Sequence, residues 1–208
     1  MDFTSARQNM VESQVRSVDV TDLQIQDAMR AIPRERLALP HRAALAYADA
    51  EVEYAEGRWL MRPRDVAKLL QAARPRAGER ALAIAAPYAA AVMARMGLAV
   101  TVLETPEADA RVRLALEGEG LAVAAGDLMS PGGGPYDVVI SEGAVAEVPA
   151  GWVRVLAPQG RLAAVLRAGP TGKATIHLRT GDALGAREVF DASAPWLPGS
   201  APRRAFVF

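Results

Sequence analysis

Three acidic residues follow apolar segments that are typical of buried strands, and their spacing could serve a nucleoside ligand. Glu104 ends one segment, Asp127 follows the next, and Glu142 ends a third that begins at Tyr136. In an open α/β sheet the ligand crevice lies beyond the carboxyl ends of the strands. Glu104 could accept hydrogen bonds from ribose hydroxyls, and Asp127 could accept one from an adenine amino group. We therefore predict an adenosyl site, although an acidic strand end is also an ordinary neighbour of a helix N-terminus.

The elements that position these residues alternate between short apolar runs and helical stretches. The pattern predicts strands at 81–84, 100–103, 121–124, 138–141 and 162–166. It predicts helices at 22–31, after Pro63, and at 88–96, 107–117 and 148–155. Strands that are apolar on both faces and separated by helices indicate a doubly wound, mostly parallel sheet. A last pair, 174–179 and 187–190, is expected to add an antiparallel hairpin to the sheet edge.

The length and continuity of the chain indicate one domain. At 208 residues the chain can bury a single core, and no linker or repeat divides it. We predict an α/β core over 78–208, preceded by an N-terminal helical flank or lid over 1–77. Within this flank, 37–54 is expected to be irregular with one short helix. The final residues, up to Phe208, are expected to be extended.

Composition and charge exclude several classes of protein. The formal net charge is zero, and the basic residues, all arginine except Lys68 and Lys173, form no basic stripe, so no nucleic-acid partner is predicted. The chain has no cysteine, and His41 and His177 are far apart, so no metal site is predicted. Because neither a signal peptide nor an apolar run of 18 residues is present, we predict a cytoplasmic protein without membrane attachment. The oligomeric state is not predicted.

The turn after the first core strand is unusual for a nucleotide-binding sheet. Only Ala85, Ala86 and Pro87 separate the strand from Tyr88 at the start of the next helix, and none of them is glycine. Glycine would let the backbone approach a ligand closely, whereas proline supplies no amide at all. A structural explanation is also available, because proline is favourable at the first position of a helix. The turn follows the carboxyl end of the first core strand, which makes Ala85 and Ala86 candidates to flank a ligand.

Over nearly its whole length the chain resembles the protein-L-isoaspartate O-methyltransferases, which have a Rossmann-like fold. The N-terminal residues that carry the resemblance are Gln14-Val15-Arg16, Val20-Thr21-Asp22, Ala28 to Arg36 and Ala46-Tyr47-Ala48-Asp49. Those further along are Gly78-Glu79-Arg80, Tyr136 to Ile140, Glu147-Val148-Pro149 and Leu156 to Leu162. The run Ile32-Pro33-Arg34-Glu35-Arg36 is rather specific to this family, whereas the core segments occur in many methyltransferases.

The resemblance implies a reaction and a set of site residues. The reaction is methyl transfer from S-adenosylmethionine to the carboxylate of an isoaspartyl residue in a damaged protein, which is mainly a matter of positioning. The implied donor-binding residues are Ala85, Ala86, Tyr88, Glu104, Asp127 and Glu142. The family's substrate segment matches Trp59 to Pro63, where Met61 replaces a serine that meets the substrate carboxylate. Arg62 could take over that contact as a charged donor, or could be a solvated charge at a helix start.

Two departures from the family pattern leave a second hypothesis open. The turn at Ala85 is two residues shorter than the family's glycine-containing loop, and the serine is replaced by Met61. The chain could therefore be a catalytically inactive descendant that acts as a binding or regulatory module. A third hypothesis, a nicotinamide-dependent oxidoreductase, requires the same glycine turn and has no support from the N-terminal residues.

Overall fold

The computed structural model describes residues 2–202. Its larger sheet has seven strands in the order β5-β4-β3-β6-β7-β8-β9. These strands are β3 (Arg80–Ile84), β4 (Ala99–Glu104), β5 (Ala122–Ala125), β6 (Tyr136–Val145), β7 (Leu156–Arg167), β8 (Gly172–Thr180) and β9 (Ala183–Ala192). The first five of them are parallel, and the last two are antiparallel. The fold is therefore the predicted Rossmann-like methyltransferase fold with an antiparallel hairpin at one edge.

Helices connect the parallel strands, and others form the N-terminal flank. They are α1 (Phe3–Met10), α2 (Leu23–Ala31), α3 (Arg34–Leu37), α4 (Pro63–Ala73), α5 (Pro87–Arg95), α6 (Pro106–Ala115) and α7 (Ala150–Arg154). A π-helical turn (Val11–Val15) and a 3₁₀ turn (Arg16–Val18) continue α1, and a second 3₁₀ turn covers Pro40–Leu45. Proline occupies the start of α4, α5 and α6, where its missing N–H is not needed.

The apolar faces of these elements meet in one large cluster on one side of the sheet. It contains Met29 and Leu69 from the flank together with Val102 and Val138 from the sheet, all of them buried. Helix α4 contributes an apolar stripe of Val66, Leu69, Leu70 and Ala73. A second cluster around Trp152 fills the other side of the sheet. The flank thus rests on the sheet through shared burial of apolar side chains.

The N-terminal flank, predicted to be helical with an irregular stretch over 37–54, also contains two strands. Residues Val52–Ala55 (β1) and Arg58–Leu60 (β2) form a separate two-stranded antiparallel sheet. Val52, Tyr54, Arg58 and Leu60 are buried, which is the period-2 pattern of a strand pair. Gly57, with φ of 64°, provides the left-handed residue of the connecting turn. We call these residues, 52–60, the β1–β2 hairpin.

Several predicted boundaries differ from those in the structure. Strand β6 continues to Val145 and β7 begins at Leu156, because each gains partners along a neighbouring strand beyond the apolar run that marked it. After β9 the chain returns to the sheet beside Ala144. The backbone N–H of Ala144 donates to the carbonyl of Pro195, and the backbone N–H of Leu197 donates to the carbonyl of Ala144. The prediction of an extended end up to Phe208 falls partly on 203–208, outside the described residues.

Candidate functional site

The sheet has a topological switch point at β3, whose neighbours are β4 on one side and β6 on the other. Strand β3 ends next to Ala85, β4 ends at Glu104, and the pairing of β6 with β3 ends at Ser141, next to Glu142. A ligand of a doubly wound sheet binds in the crevice outside such strand ends. We refer to the space beyond these three strand ends as the crevice.

Glu104, the residue predicted to hold ribose, is fully buried in the crevice at 0% exposure. Its Oε1 atom accepts hydrogen bonds from Nε and Nη2 of Arg58, at 3.0 and 2.5 Å, and from its neighbour's backbone N–H. Its Oε2 atom accepts a hydrogen bond of 2.5 Å from the hydroxyl of Tyr54. The carboxylate is therefore satisfied by the chain itself.

The β1–β2 hairpin delivers both of these partners. Tyr54 and Arg58 point to the same face of the hairpin, between Val52 and Leu60, and Arg58 is only 4% exposed. Burial, and then the nearby charge of Glu104, raise the pKa of the Tyr54 hydroxyl well above its usual range, so the phenol remains a proton donor to the carboxylate. A buried ion pair with an additional phenol donor thus closes the half of the crevice over β4.

The turn after β3 is as tight as the sequence indicates. Ala85 adopts a left-handed conformation, with φ of 49°, and its backbone N–H donates to the carbonyl of Leu103 at 2.8 Å. Ala86 caps helix α5 without a side-chain hydrogen bond, and both alanine side chains are buried. The methyl groups therefore fill space that glycines would leave open, and one turn amide is already used inside the sheet.

Glu142 occupies the N-terminus of helix α5. Its Oε1 atom accepts a hydrogen bond of 2.7 Å from the backbone N–H of Ala89, and its Oε2 atom accepts one of 3.1 Å from that of Met61. Burial raises the pKa of the Glu142 carboxyl, and the charge of Arg34 and these backbone N–H groups partly offset that rise. A helix N-terminus is a natural site for an anion, and here the anion belongs to the chain itself.

Arg34 organises the polar groups beneath this carboxylate. It is fully buried and donates from Nε to the carbonyl of Ala46 at 2.8 Å and from Nη2 to the carbonyl of Met61 at 2.6 Å. Its guanidinium lies 4.5 Å from the ring centre of Tyr88, a cation–π contact. The hydroxyl of Tyr88 is buried without a hydrogen-bond partner among the described residues. Tyr88, a predicted donor-binding residue, is therefore a core side chain in this conformation.

The other predicted site residues lie at the margins of the crevice. Met61 is fully buried, and its backbone N–H and carbonyl are used by Glu142 and Arg34. Arg62, at the N-cap of α4, donates from Nε to Glu51 at 3.1 Å and stays partly exposed. Asp127 is exposed and accepts a hydrogen bond of 2.9 Å from the backbone N–H of Met129. Of the predicted residues, the crevice thus brings together Ala85, Glu104 and Glu142.

The space left in the crevice is small. The remaining cavity, bordered by Arg58, Trp59, Ala85, Glu142 and the segment 195–197, has a volume of about 10 Å³. That volume is close to the space of one water molecule, whereas sites for drug-sized ligands and cofactors measure about 300–1,000 Å³. In this conformation the crevice carries two acidic side chains but has no room for an adenosyl group. A separate cavity of about 330 Å³ lies beside the end of β5 and is lined in part by Leu103, Gly126 and Asp127.

Sequence reasoning missed Tyr54, Arg58 and Arg34. The alternation of Val52, Tyr54, Arg58 and Leu60 around Gly57 was an available hairpin signal, although both strands are short. Arg34 lies in the most family-specific run of the chain but was given no role there. Within residues 2–202, no three acidic or histidine side chains form a group that could hold a metal ion. No helix in the same range has the length and apolar character needed to cross a membrane.

Comparisons with known proteins agree with this architecture. A model of the family described as protein-L-isoaspartate(D-aspartate) O-methyltransferase matches residues 5–180. A protein-L-isoaspartate O-methyltransferase of Methylorubrum extorquens is 36% identical over 182 residues, covering 84% of this chain and 79% of the relative. One of Roseiflexus castenholzii is 31% identical, covering 97% and 96%. A Plasmodium falciparum protein described as such a methyltransferase, in complex with S-adenosyl-L-homocysteine, shares the fold, with a TM-score of 0.78, 16% identity and coverage of 92% and 97%.

Proposed function

Because the chain belongs to the protein-L-isoaspartate O-methyltransferase family, we propose that it transfers a methyl group from S-adenosylmethionine to the carboxylate of isoaspartyl residues in damaged proteins. The observation that carries this proposal is the position of Glu104, an acidic side chain at the carboxyl end of β4 beside the switch point of the sheet. A carboxylate at that position is suited to ribose hydroxyls. The family is S-adenosylmethionine-dependent, and the donor supplies the activated methyl group when bound.

The proposed roles follow from the positions of the side chains. Glu104 would hold the ribose, Asp127 the adenine amino group, and Glu142 with Ala85, Ala86 and Tyr88 would border the methionine part. Arg62 is the proposed partner of the substrate carboxylate, because Met61 has no polar side-chain atom and is buried. The proposed substrate is a protein or peptide segment in the cytoplasm. The role of Glu104 requires the β1–β2 hairpin to leave the crevice, since Arg58 and Tyr54 now occupy the carboxylate of Glu104.

A methyl-transfer assay tests the proposal directly. Radiolabelled S-adenosylmethionine is incubated with the protein and an isoaspartyl peptide, and the same peptide with ordinary aspartate serves as the control substrate. We expect base-labile label only on the isoaspartyl peptide. Arg62→Ala should raise the KM for the peptide about tenfold or more, because a charge-assisted contact contributes about 1.5–3 kcal/mol. Arg113→Ala is the matched control, since Arg113 is exposed and pairs with Asp109 within helix α6. Background label on both peptides would contradict the proposal.

The second hypothesis raised by the sequence, a non-catalytic binding module, differs from the first in what it predicts for donor binding. A cavity of about 10 Å³ beside Arg58 and Glu142 admits no donor unless the hairpin moves. This candidate predicts a cooperative thermal transition that S-adenosylhomocysteine at millimolar concentration does not shift. The methyltransferase proposal predicts a higher melting temperature, because a ligand of the native state stabilises it by mass action.

A further inference from the structure

The crevice contains a substitute for each contact that the strand ends offer to a ligand. The acceptor oxygens of Glu104 are taken by Arg58 and Tyr54, and the N-terminus of helix α5 is taken by Glu142. The side chains of the β1–β2 hairpin, together with Pro195 to Leu197, leave about 10 Å³ of space. The carboxylate oxygens of Glu104 and Glu142 are thus all hydrogen-bonded without any bound molecule.

Arg58 is the central member of this arrangement. Its guanidinium donates twice to Oε1 of Glu104, and it makes no other hydrogen bond among the described residues. A buried guanidinium and a buried carboxylate each require the other, because removing either leaves an uncompensated charge in a poorly solvated position. A ligand hydroxyl that binds Glu104 must therefore first displace Arg58 from the same oxygen.

The β1–β2 hairpin is built in a way that allows this displacement. It forms its own two-stranded sheet and shares no strand pairing with the seven-stranded sheet. Its turn, at Glu56 and Gly57, is exposed, and its described backbone link to the flank is the hydrogen bond from Leu39 to the carbonyl of Glu53. On leaving the crevice, Arg58 would exchange Glu104 for water, which solvates a guanidinium well. Movement of the hairpin therefore breaks no strand pairing of the main sheet, and its cost is the exposure of Val52, Tyr54 and Leu60, which are buried in the large core cluster.

We propose that Arg58 is an internal competitor of the methyl donor and that the β1–β2 hairpin sets the donor affinity of the protein. This inference rests on the proposed function. If only a fraction of the molecules has the hairpin displaced, the apparent dissociation constant rises in inverse proportion to that fraction. The wild-type protein should therefore bind the donor weakly, and binding should be coupled to exposure of the hairpin.

Calorimetric titration with S-adenosylhomocysteine tests the role of Arg58. We compare the full-length wild-type chain with Arg58→Ala, Arg58→Lys and the control Arg113→Ala. Arg58→Ala should bind at least about tenfold more tightly than wild type, since the closed state loses its ion pair and becomes less populated. Arg58→Lys, which keeps one charge without the guanidinium geometry, should fall between the two. The control should bind like wild type.

A second measurement protects the test against misfolding of a variant. Tyr54→Phe removes one donor to Glu104 and leaves the ion pair in place, so it should fold and bind at least about tenfold more tightly. Amide hydrogen exchange of wild-type protein should then show faster exchange in residues 52–60 when S-adenosylhomocysteine is added. Unchanged or slower exchange in the hairpin on binding would overturn the inference.

The possible results separate the inference from the function it rests on. Equal donor affinity of wild type, Arg58→Ala and Tyr54→Phe overturns the inference and leaves the methyltransferase proposal standing. Tighter binding by both variants without methyl transfer to the isoaspartyl peptide supports the inference and contradicts the proposed reaction. Absence of binding to every variant at millimolar concentration overturns both.

Discussion

The ends of two adjacent parallel strands, β4 and β5, carry the same chemical group in opposite environments. Glu104 is fully buried and bonded to Arg58 and Tyr54. Asp127 is exposed, and its carboxylate stabilises a local turn through the backbone N–H of Met129. The half of the site at Glu104 is therefore filled by side chains of the chain itself. The half at Asp127 is open beside a cavity of about 330 Å³.

The difference teaches that a residue type at a strand end defines a site only together with the element that covers it. The β1–β2 hairpin covers Glu104, whereas none of its residues lines the cavity beside Asp127. A carboxylate that is buried needs a permanent partner, while an exposed one can exchange water for a ligand at little cost. The two halves should therefore respond differently to substitution.

The largest expected effect is on stability at Glu104. Glu104→Ala leaves Arg58 buried and unpaired, so the free energy of unfolding should fall by about 3–5 kcal/mol. Asp127→Ala removes an exposed turn contact and should cost less than about 1 kcal/mol. Urea unfolding followed by circular dichroism measures both. The double variant Arg58→Met, Glu104→Leu should recover much of the loss, because it removes both charges together. Equal losses for the two single variants would contradict the comparison.

Asp65 in helix α4 shows what burial does to a carboxylate without a hydrogen-bonded guanidinium. It is 4% exposed, and its contact with Arg64 is 3.8 Å long. Burial raises its pKa from 3.8 to about 6. Because this pKa is higher in the folded than in the unfolded state, the folded protein binds more protons between these values. Its contribution to stability is therefore greatest at low pH and is lost as pH rises from about 4 to about 6.

Asp65→Asn should remove that pH dependence. A pKa rise of this size corresponds to about 3 kcal/mol. The free energy of unfolding of the variant should therefore exceed that of wild type by up to about 3 kcal/mol at pH 8 and by little at pH 4. Urea titrations at the two pH values provide the measurement, with Asp182→Asn as a control at an exposed position. If the free energy of unfolding depends on pH in the same way for wild type and Asp65→Asn, burial does not distinguish the carboxylate of Asp65 from that of Asp182.

The sequence predicted the framework of this molecule well because the framework is local. Strand β3 and helices α4 and α5 follow from apolar runs, helical stripes and prolines that lie within one segment. The sequence also indicated a short turn without glycine at Ala85 and Ala86, and both side chains are buried there.

The filling of the crevice could not be predicted from the same kind of signal. Arg58 and Glu104 are 46 positions apart, and Met61 and Glu142 are 81 apart. Whether two such residues meet depends on how a short hairpin packs on the sheet, not on the character of either segment. Nothing in the sequence around Arg58 distinguishes it from the exposed arginines of this arginine-rich chain.

Tyrosine hydroxyls provide a finer test of the filled half. Tyr54→Phe removes the hydrogen bond to Glu104 and should lower the free energy of unfolding by about 1.5–3 kcal/mol, because the acceptor is charged and buried. Tyr88→Phe makes the same chemical change at a buried hydroxyl that has no partner within residues 2–202, so it should be neutral or slightly stabilising. Urea unfolding distinguishes the two, and a similar loss in both would mean that ring packing, not the contact with Glu104, determines the effect.

The smallest effect is expected at the turn after β3, where the sequence has Ala85 in place of the glycines of a nucleotide-binding turn. Ala85→Gly relieves a left-handed alanine, a gain of about 1–2 kcal/mol, but loses a buried methyl group and adds freedom to the unfolded chain. The free energy of unfolding should therefore change by less than about 1 kcal/mol. Since Arg58 still occupies Glu104, affinity for S-adenosylhomocysteine should also change by less than about threefold, well below the effect of Arg58→Ala. If calorimetry instead finds that the glycine alone restores tight binding, the turn and not the hairpin limits the donor, and the contrast between the two strand ends has another cause.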